Sequence, residues 1–100
     1  MSIGVIIDFE FKADSDGAAR MKETMKERLP SVTRKADGCE FVNLYVDPDD
    51  PNHLILLGRW ESRAKYDKYL EWAMAQPGSN ELMSIVARDP VWTYLDDTGV

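Results

Sequence analysis

The chain has 100 residues, a formal charge of −6, and 44% hydrophobic and 30% charged side chains, which is the balance of one globular domain with a modest single core. A chain this acidic has no basic face for phosphates, which excludes nucleic acid and anionic membrane surfaces as partners. The one cysteine, Cys39, excludes an intramolecular disulfide and a cysteine zinc cluster. No apolar run reaches the ~18 residues of a transmembrane helix, and the opening M-S-I-G-V-I-I-D-F-E lacks the basic head of a signal peptide, so a reducing cytoplasm is the expected compartment.

From Ile3 to Phe11 every second residue is apolar, while Gly4, Ile6, Asp8 and Glu10 fill the alternate positions. This predicts a strand with one continuous apolar face and one that turns polar toward its end. Ser15 or Asp16 is placed to cap a helix with Ala18, Met21, Met25, Leu29 and Val32 on one stripe. Pro30 removes a backbone donor and disfavours helical geometry at Leu29, so the helix either ends there or resumes as a short turn through Arg34.

After the Asp37-Gly38 turn, Glu40 to Asp47 reads as a second strand. The hexapeptide D-P-D-D-P-N should interrupt it and join it at hairpin distance to a third, Leu54 to Trp60, making the two antiparallel neighbours. Ser62 can then cap a helix carrying Tyr66, Tyr69, Leu70, Ala73 and Met74 on one side. Gln76-Pro77-Gly78 stops that helix, and Ser79 is expected to cap a short helical piece through Val86. In the last strand, Pro90 to Leu95, Val91, Thr93 and Leu95 alternate with Trp92 and Tyr94, and the remaining residues form a tail.

The predicted order is strand, helix, strand, strand, helix, strand. It describes an α+β, ferredoxin-like βαββαβ unit spanning residues 1–100, a four-stranded antiparallel sheet with helices on one face. Such a sheet leaves its second face bare, with Ile6 and apolar residues of the later strands exposed, so a homodimer closed through the sheets is expected.

A-D-G-C ahead of the second strand, and a third strand closing on R-W-E-S-R followed by Y-D-K-Y-L, complete a pattern spanning nearly the whole chain. It resembles the antibiotic biosynthesis monooxygenase domain of the dimeric α+β barrel superfamily. The resemblance implies a homodimer with a pocket in each subunit between helices and sheet, and an enzyme that uses dioxygen with no metal or flavin cofactor. It also implies that a third-strand asparagine and tryptophan, with a tyrosine from the next helix, surround a phenolic substrate. The tryptophan matches Trp60 and the tyrosine Tyr66, and the asparagine position falls on Leu56. A haem-degrading branch holds iron through a histidine on the second helix. Positions 73–82 contain none and the only histidine, His53, lies in the predicted hairpin, which disfavours haem.

Candidate site residues follow from these elements. Trp60 and Tyr66 are placed to hold an aromatic ring, with Tyr69 and Trp72 beside them, although large aromatics at a strand end equally serve as core. Asp8 and Glu10 share one face of the first strand. Enclosed in the barrel or a pocket, either would have a raised pKa and could act as general base; the alternative is a solvated strand end or a salt bridge to Arg59 or Arg88. Arg59, next to Trp60, could steady an oxyanion. His53 beside Asp49 and Asp50 does not have metal-ligand spacing, and no metal site is expected. The expected function is a cofactor-independent monooxygenase of a small aromatic or quinol-like molecule. The alternative is a non-enzymatic dimeric barrel that binds a small apolar ligand or serves as a stress-associated accessory protein.

Overall fold

The structure, a computed structural model, describes residues 1–100. In chain order it contains β1 (Ile3–Glu10), α1 (Gly17–Ser31), a 3-10 turn (Thr33–Lys35), β2 (Cys39–Asp47), β3 (Asp50–Trp60), α2 (Arg63–Met74), α3 (Ser79–Ser84) and β4 (Val91–Asp96). The strands form one antiparallel sheet in the order β2-β3-β1-β4. This is the ferredoxin-like α+β arrangement expected from the sequence, with helices on one face.

Alternation along β1 decides which face they cover. Ile3, Val5, Ile7 and Phe9 are all buried, and they form one core with Met21, Met25 and Leu29 of α1 and Tyr66 of α2. Register extends this face across the sheet, since Ile7 lies opposite Leu56 of β3 and Trp92 of β4. The other face carries Ile6, opposite Leu57 and Thr93, and no helix packs on it. Phe41, Tyr45, Val91 and Leu95 follow the same register onto this open face and are 41%, 50%, 52% and 50% exposed.

Local chemistry accounts for where the elements begin and end. Ser62 caps α2 by accepting the Lys65 N–H at 3.3 Å, as expected. At α1 the Ser15 hydroxyl accepts the Gly17 N–H at 3.2 Å, whereas Asp16 makes no capping hydrogen bond and lies 4.0 Å from Arg20. The helix runs through Pro30 to Ser31. A proline this close to the end forfeits one backbone bond, and the Val32 N–H still reaches the Arg28 carbonyl at 2.9 Å. The chain then tightens into the 3-10 turn, which leaves Val32 exposed and buries Thr33 in its place. Ser79 does not cap α3. Gly78 holds the cap position, and the Ser79 hydroxyl donates to the Ala73 carbonyl at 2.9 Å, tying α3 to α2.

The largest departure from expectation is the hairpin. β3 starts at Asp50, so Pro51, Asn52 and His53 are strand residues and the turn is confined to Asp47–Asp50. Asp47 and Asp50 accept the N–H groups of Asp49 and Asn52 at 2.8 and 3.0 Å, side-chain turns that replace backbone ones. Pro51 lies beyond the β1 register, which begins at His53, so its missing N–H costs that ladder nothing.

Two glycines are required by their surroundings. Gly38 has φ of 90°, and a Cβ there would lie 2.8 Å from the Lys65 Cβ. Gly17 opens α1 directly over Phe11, where a Cβ would lie 2.5 Å from a ring that is 1% exposed. Glycine to alanine in a helix ordinarily stabilises by about 0.5–1 kcal/mol. Here overpacking, at about 1–3 kcal/mol, is the larger effect. Gly17→Ala should therefore destabilise the fold by about 1–2 kcal/mol, read as a lowered urea midpoint.

Candidate functional site: an apolar cavity beneath the helices

Between the sheet and the helices lies a cavity of about 100 Å³. Val5, Ile7 and Leu56 contribute to its floor, and Met21, Met25, Leu70 and Met74 to its walls; of its 22 lining residues only Arg28 carries a charge. The aromatic part of the wall is built from two elements. β3 delivers Trp60, 2% exposed, at its last position, and the Ser62 cap starts α2 at once, so Tyr66 follows on the first turns of the helix. The Trp60 ring meets Tyr66 edge-on at 5.3 Å and Tyr69 at 5.1 Å. Gly58 lines the same wall, and a Cβ there would come within 3.2 Å of the Trp60 indole nitrogen, so glycine leaves that N–H uncovered.

The polar atoms of the cavity are few. The Tyr69 hydroxyl is paired with Thr33 at 2.5 Å, which turns its ring, rather than its oxygen, to the interior. The Tyr66 hydroxyl accepts the indole N–H of Trp92 at 2.9 Å. Burial pushes both phenols above the ordinary tyrosine range, against the opposing pull of those hydrogen bonds. Each is therefore a neutral O–H near neutral pH, a hydrogen-bond donor rather than a base.

Residues 4–76, from the start of β1 to just past α2, match a protein-family model described as antibiotic biosynthesis monooxygenase. The chain belongs to that family. Solved structures show the same fold at low identity. Rv0793 from Mycobacterium tuberculosis superposes with a TM-score of 0.73 at 22% identity, covering 97% of this chain and 95% of the other. A conserved protein from Methanosarcina mazei Go1 gives 0.73 at 16% identity over 98% and 94%. SnoaB, a cofactor-independent oxygenase from Streptomyces nogalater, gives 0.68 at 15% identity over 97% and 93%. No curated protein matches the sequence.

In this member of the monooxygenase family the expected site residues divide between the two faces of the sheet. Trp60, Tyr66 and Tyr69 come together in the cavity, and Leu56, at the position where the resemblance places an asparagine, presents an apolar side chain to the same space. Trp72 does not join them. Six residues on from Tyr66, at about 100° per residue, it is turned roughly 120° away, and it is 43% exposed against the outer edge of Tyr69. Arg59 precedes Trp60 in the strand and so points to the open face, where it pairs with Glu40 and Asp97, each at 2.5 Å. Asp8 and Glu10 alternate with Ile7 and Phe9 onto that same open face, so neither carboxylate reaches the cavity. Trp92, Arg28 and Thr33 were not among the expected site residues. Trp92 had a readable signal, because alternation in β4 sets it opposite Val91.

On the open face, Asp8 belongs to a charged cluster. His53 reaches Asp8 through Nε2 and Asp47 through Nδ1, each at 2.9 Å, and Arg88 donates to the same Asp8 carboxylate. Burial of Asp8 raises its pKa, but the bonds from His53 and Arg88 outweigh that and hold it below the ordinary carboxylate value. Glu10 is raised instead, by the neighbouring Asp50 carboxylate. His53 is carried from 6.5 to about 9 by its bonds to Asp47 and Asp8. A raised imidazole stabilises the fold fully below its unfolded value of 6.5 and loses that contribution as pH rises through about 9. With the imidazole 22% exposed, solvent screening limits the effect to about 1 kcal/mol or less. Urea unfolding of the wild type should weaken between pH about 6 and about 10 relative to His53→Gln, which lacks this component.

Proposed function

We propose that this protein is a homodimeric, cytoplasmic, cofactor-independent monooxygenase of a small aromatic, quinol-like molecule bound in the cavity. The observation that carries the reading is the juxtaposition of Trp60, Tyr66 and Tyr69 around an apolar space to which the Trp60 N–H and the Tyr66 O–H offer unpaired donors. A flat ring would pack on the aromatic wall, with the Trp60 N–H and the Tyr66 O–H directed at one of its oxygens. The redox balance needs only dioxygen as co-reactant: a quinol plus dioxygen gives a hydroxyquinone plus water, with the ring supplying all the electrons. The protein's part is to bind the ring, stabilise the anionic oxygen that forms on proton loss, and exclude water. Family membership and the likeness to SnoaB support the reaction class. The apolar open face supports the dimer.

One observation favours the second reading, a non-enzymatic small-ligand-binding protein. No carboxylate or histidine lines the cavity, so the chain offers no base there and the substrate must lose its proton to water. Oxygen consumption with a panel of quinols separates the two. The enzyme reading expects turnover that falls about 10²–10³-fold in Trp60→Phe and in Tyr66→Phe, the size of effect that losing one positioned donor produces. A panel that binds without consuming oxygen would establish the second reading.

A further inference from the structure

We infer that Trp92 is a positioning residue that makes Tyr66 an obligate hydrogen-bond donor, so that the cavity selects ligands bearing an acceptor oxygen. This rests on the reading of the cavity as a ligand site and specifies what it recognises. An indole N–H donates and has no lone pair to accept with. Trp92 Nε1 lies 2.9 Å from the Tyr66 oxygen, and this is the only hydrogen bond that oxygen makes. The Tyr66 proton therefore cannot point at Trp92, and the interior both residues line is left to it. A phenol oxygen that already accepts one bond is a weaker acceptor for a second, so a ligand oxygen that accepts is preferred to a ligand hydroxyl that only donates. Burial keeps the phenol protonated, which holds the donor role across the neutral range.

The surroundings hold this arrangement in place. Trp92 is fixed by the β1 register opposite Ile7, and Tyr66 is 3% exposed and wedged edge-on against Trp60 at 5.3 Å and Tyr94 at 6.0 Å. Arg63 sits 3.4 Å over the Tyr94 ring, clamping the start of α2 to β4. Trp92 also lies beyond residues 4–76, the segment that matches the family model, so this device is carried by a part of the chain the family pattern does not cover.

The test uses two probes of nearly one shape, 1-indanone, which has a carbonyl, and indane, which does not. Their dissociation constants are measured by equilibrium dialysis against wild type, Trp92→Phe, Tyr66→Phe and the double variant. The ratio of the two affinities cancels changes that affect both probes alike. Tyr66→Phe should shift that ratio toward indane by about fivefold, the worth of one neutral hydrogen bond. Trp92→Phe should shift it in the same direction, and the double variant no further than Tyr66→Phe alone. The carbonyl stretch of bound 1-indanone should lie at lower frequency in wild type and revert in both single variants, a signature that packing alone does not move. If Trp92→Phe weakens both probes equally, or leaves the ratio at the wild-type value, the positioning role is overturned while the cavity stands as a site. An unchanged ratio in Tyr66→Phe overturns the donor role itself. Failure of wild type to bind either probe overturns the ligand-site reading and this inference with it.

Discussion

Trp60→Ala should lower the unfolding free energy by about 3–5 kcal/mol, the range for truncating a large buried aromatic. Trp60 is 2% exposed and joins the end of β3 to both tyrosines of α2, so the substitution removes the contact that docks the helix as well as apolar area. A total stability of about 5–15 kcal/mol is usual for a domain of this kind. The variant should therefore sit near the edge of folding, with a melting temperature lower by some 15–30 °C. Trp60→Phe preserves most of the buried volume and should cost far less, which is why it serves as the functional probe. Thermal unfolding of the two variants side by side checks this. Equal losses would mean that the docking contact depends on the part of the indole that a phenyl ring does not replace.

Leu57→Asp should abolish dimerisation. Leu57 sits in the middle of the open face, between Ile6 of β1 and Asn43 of β2. In a lone subunit this face is in water, so a carboxylate there costs the fold little. In a two-fold interface made of the same patch twice, each copy would bury an unpaired charge against the other, and two such charges oppose association by several kcal/mol. Sedimentation at micromolar concentration should give twice 11.4 kDa for wild type and 11.4 kDa for the variant. A wild type that sediments as a single chain would remove the dimer from the proposed function.

The sequence revealed the scaffold and the aromatic half of the site for a common reason, which is that both depend on local patterns. Alternation in β1, the Ser62 cap and the tyrosine spacing on α2 each act within a few residues, and together they place Trp60 beside Tyr66. The charged residues depend on pairing between distant strands. Where β3 begins, at Asp50 rather than Leu54, puts His53 on the sheet within reach of Asp8, and no local signal announces that register. Aspartate side chains close the turn within Asp47–Asp50, so the second half of the D-P-D-D-P-N hexapeptide enters β3 instead of serving as connection. Of the two readings open for Asp8 and Glu10, the structure favours the one outside the cavity, with Asp8 paired to Arg88, and the pattern already contained the reason. The wholly apolar row of β1 is the one that helices cover, which leaves the mixed row facing away. Trp72 lies three residues after Tyr69 and so about 60° round the helix from it, which keeps it against the Tyr69 ring but outside the cavity.

Neighbouring residues of a single strand serve opposite sides of the sheet: Leu56 and Trp60 the interior, Leu57 and Arg59 the bare surface. An exchange of one amino acid thus edits either the chamber or the outer patch and leaves its counterpart alone, so the two can diversify separately within a lineage. Loss or gain of one residue inside β1 or β3 has no such freedom. It inverts the strand, turning the chamber's wall outward and the patch inward, so length changes should be confined to the connections while the strands vary by replacement only.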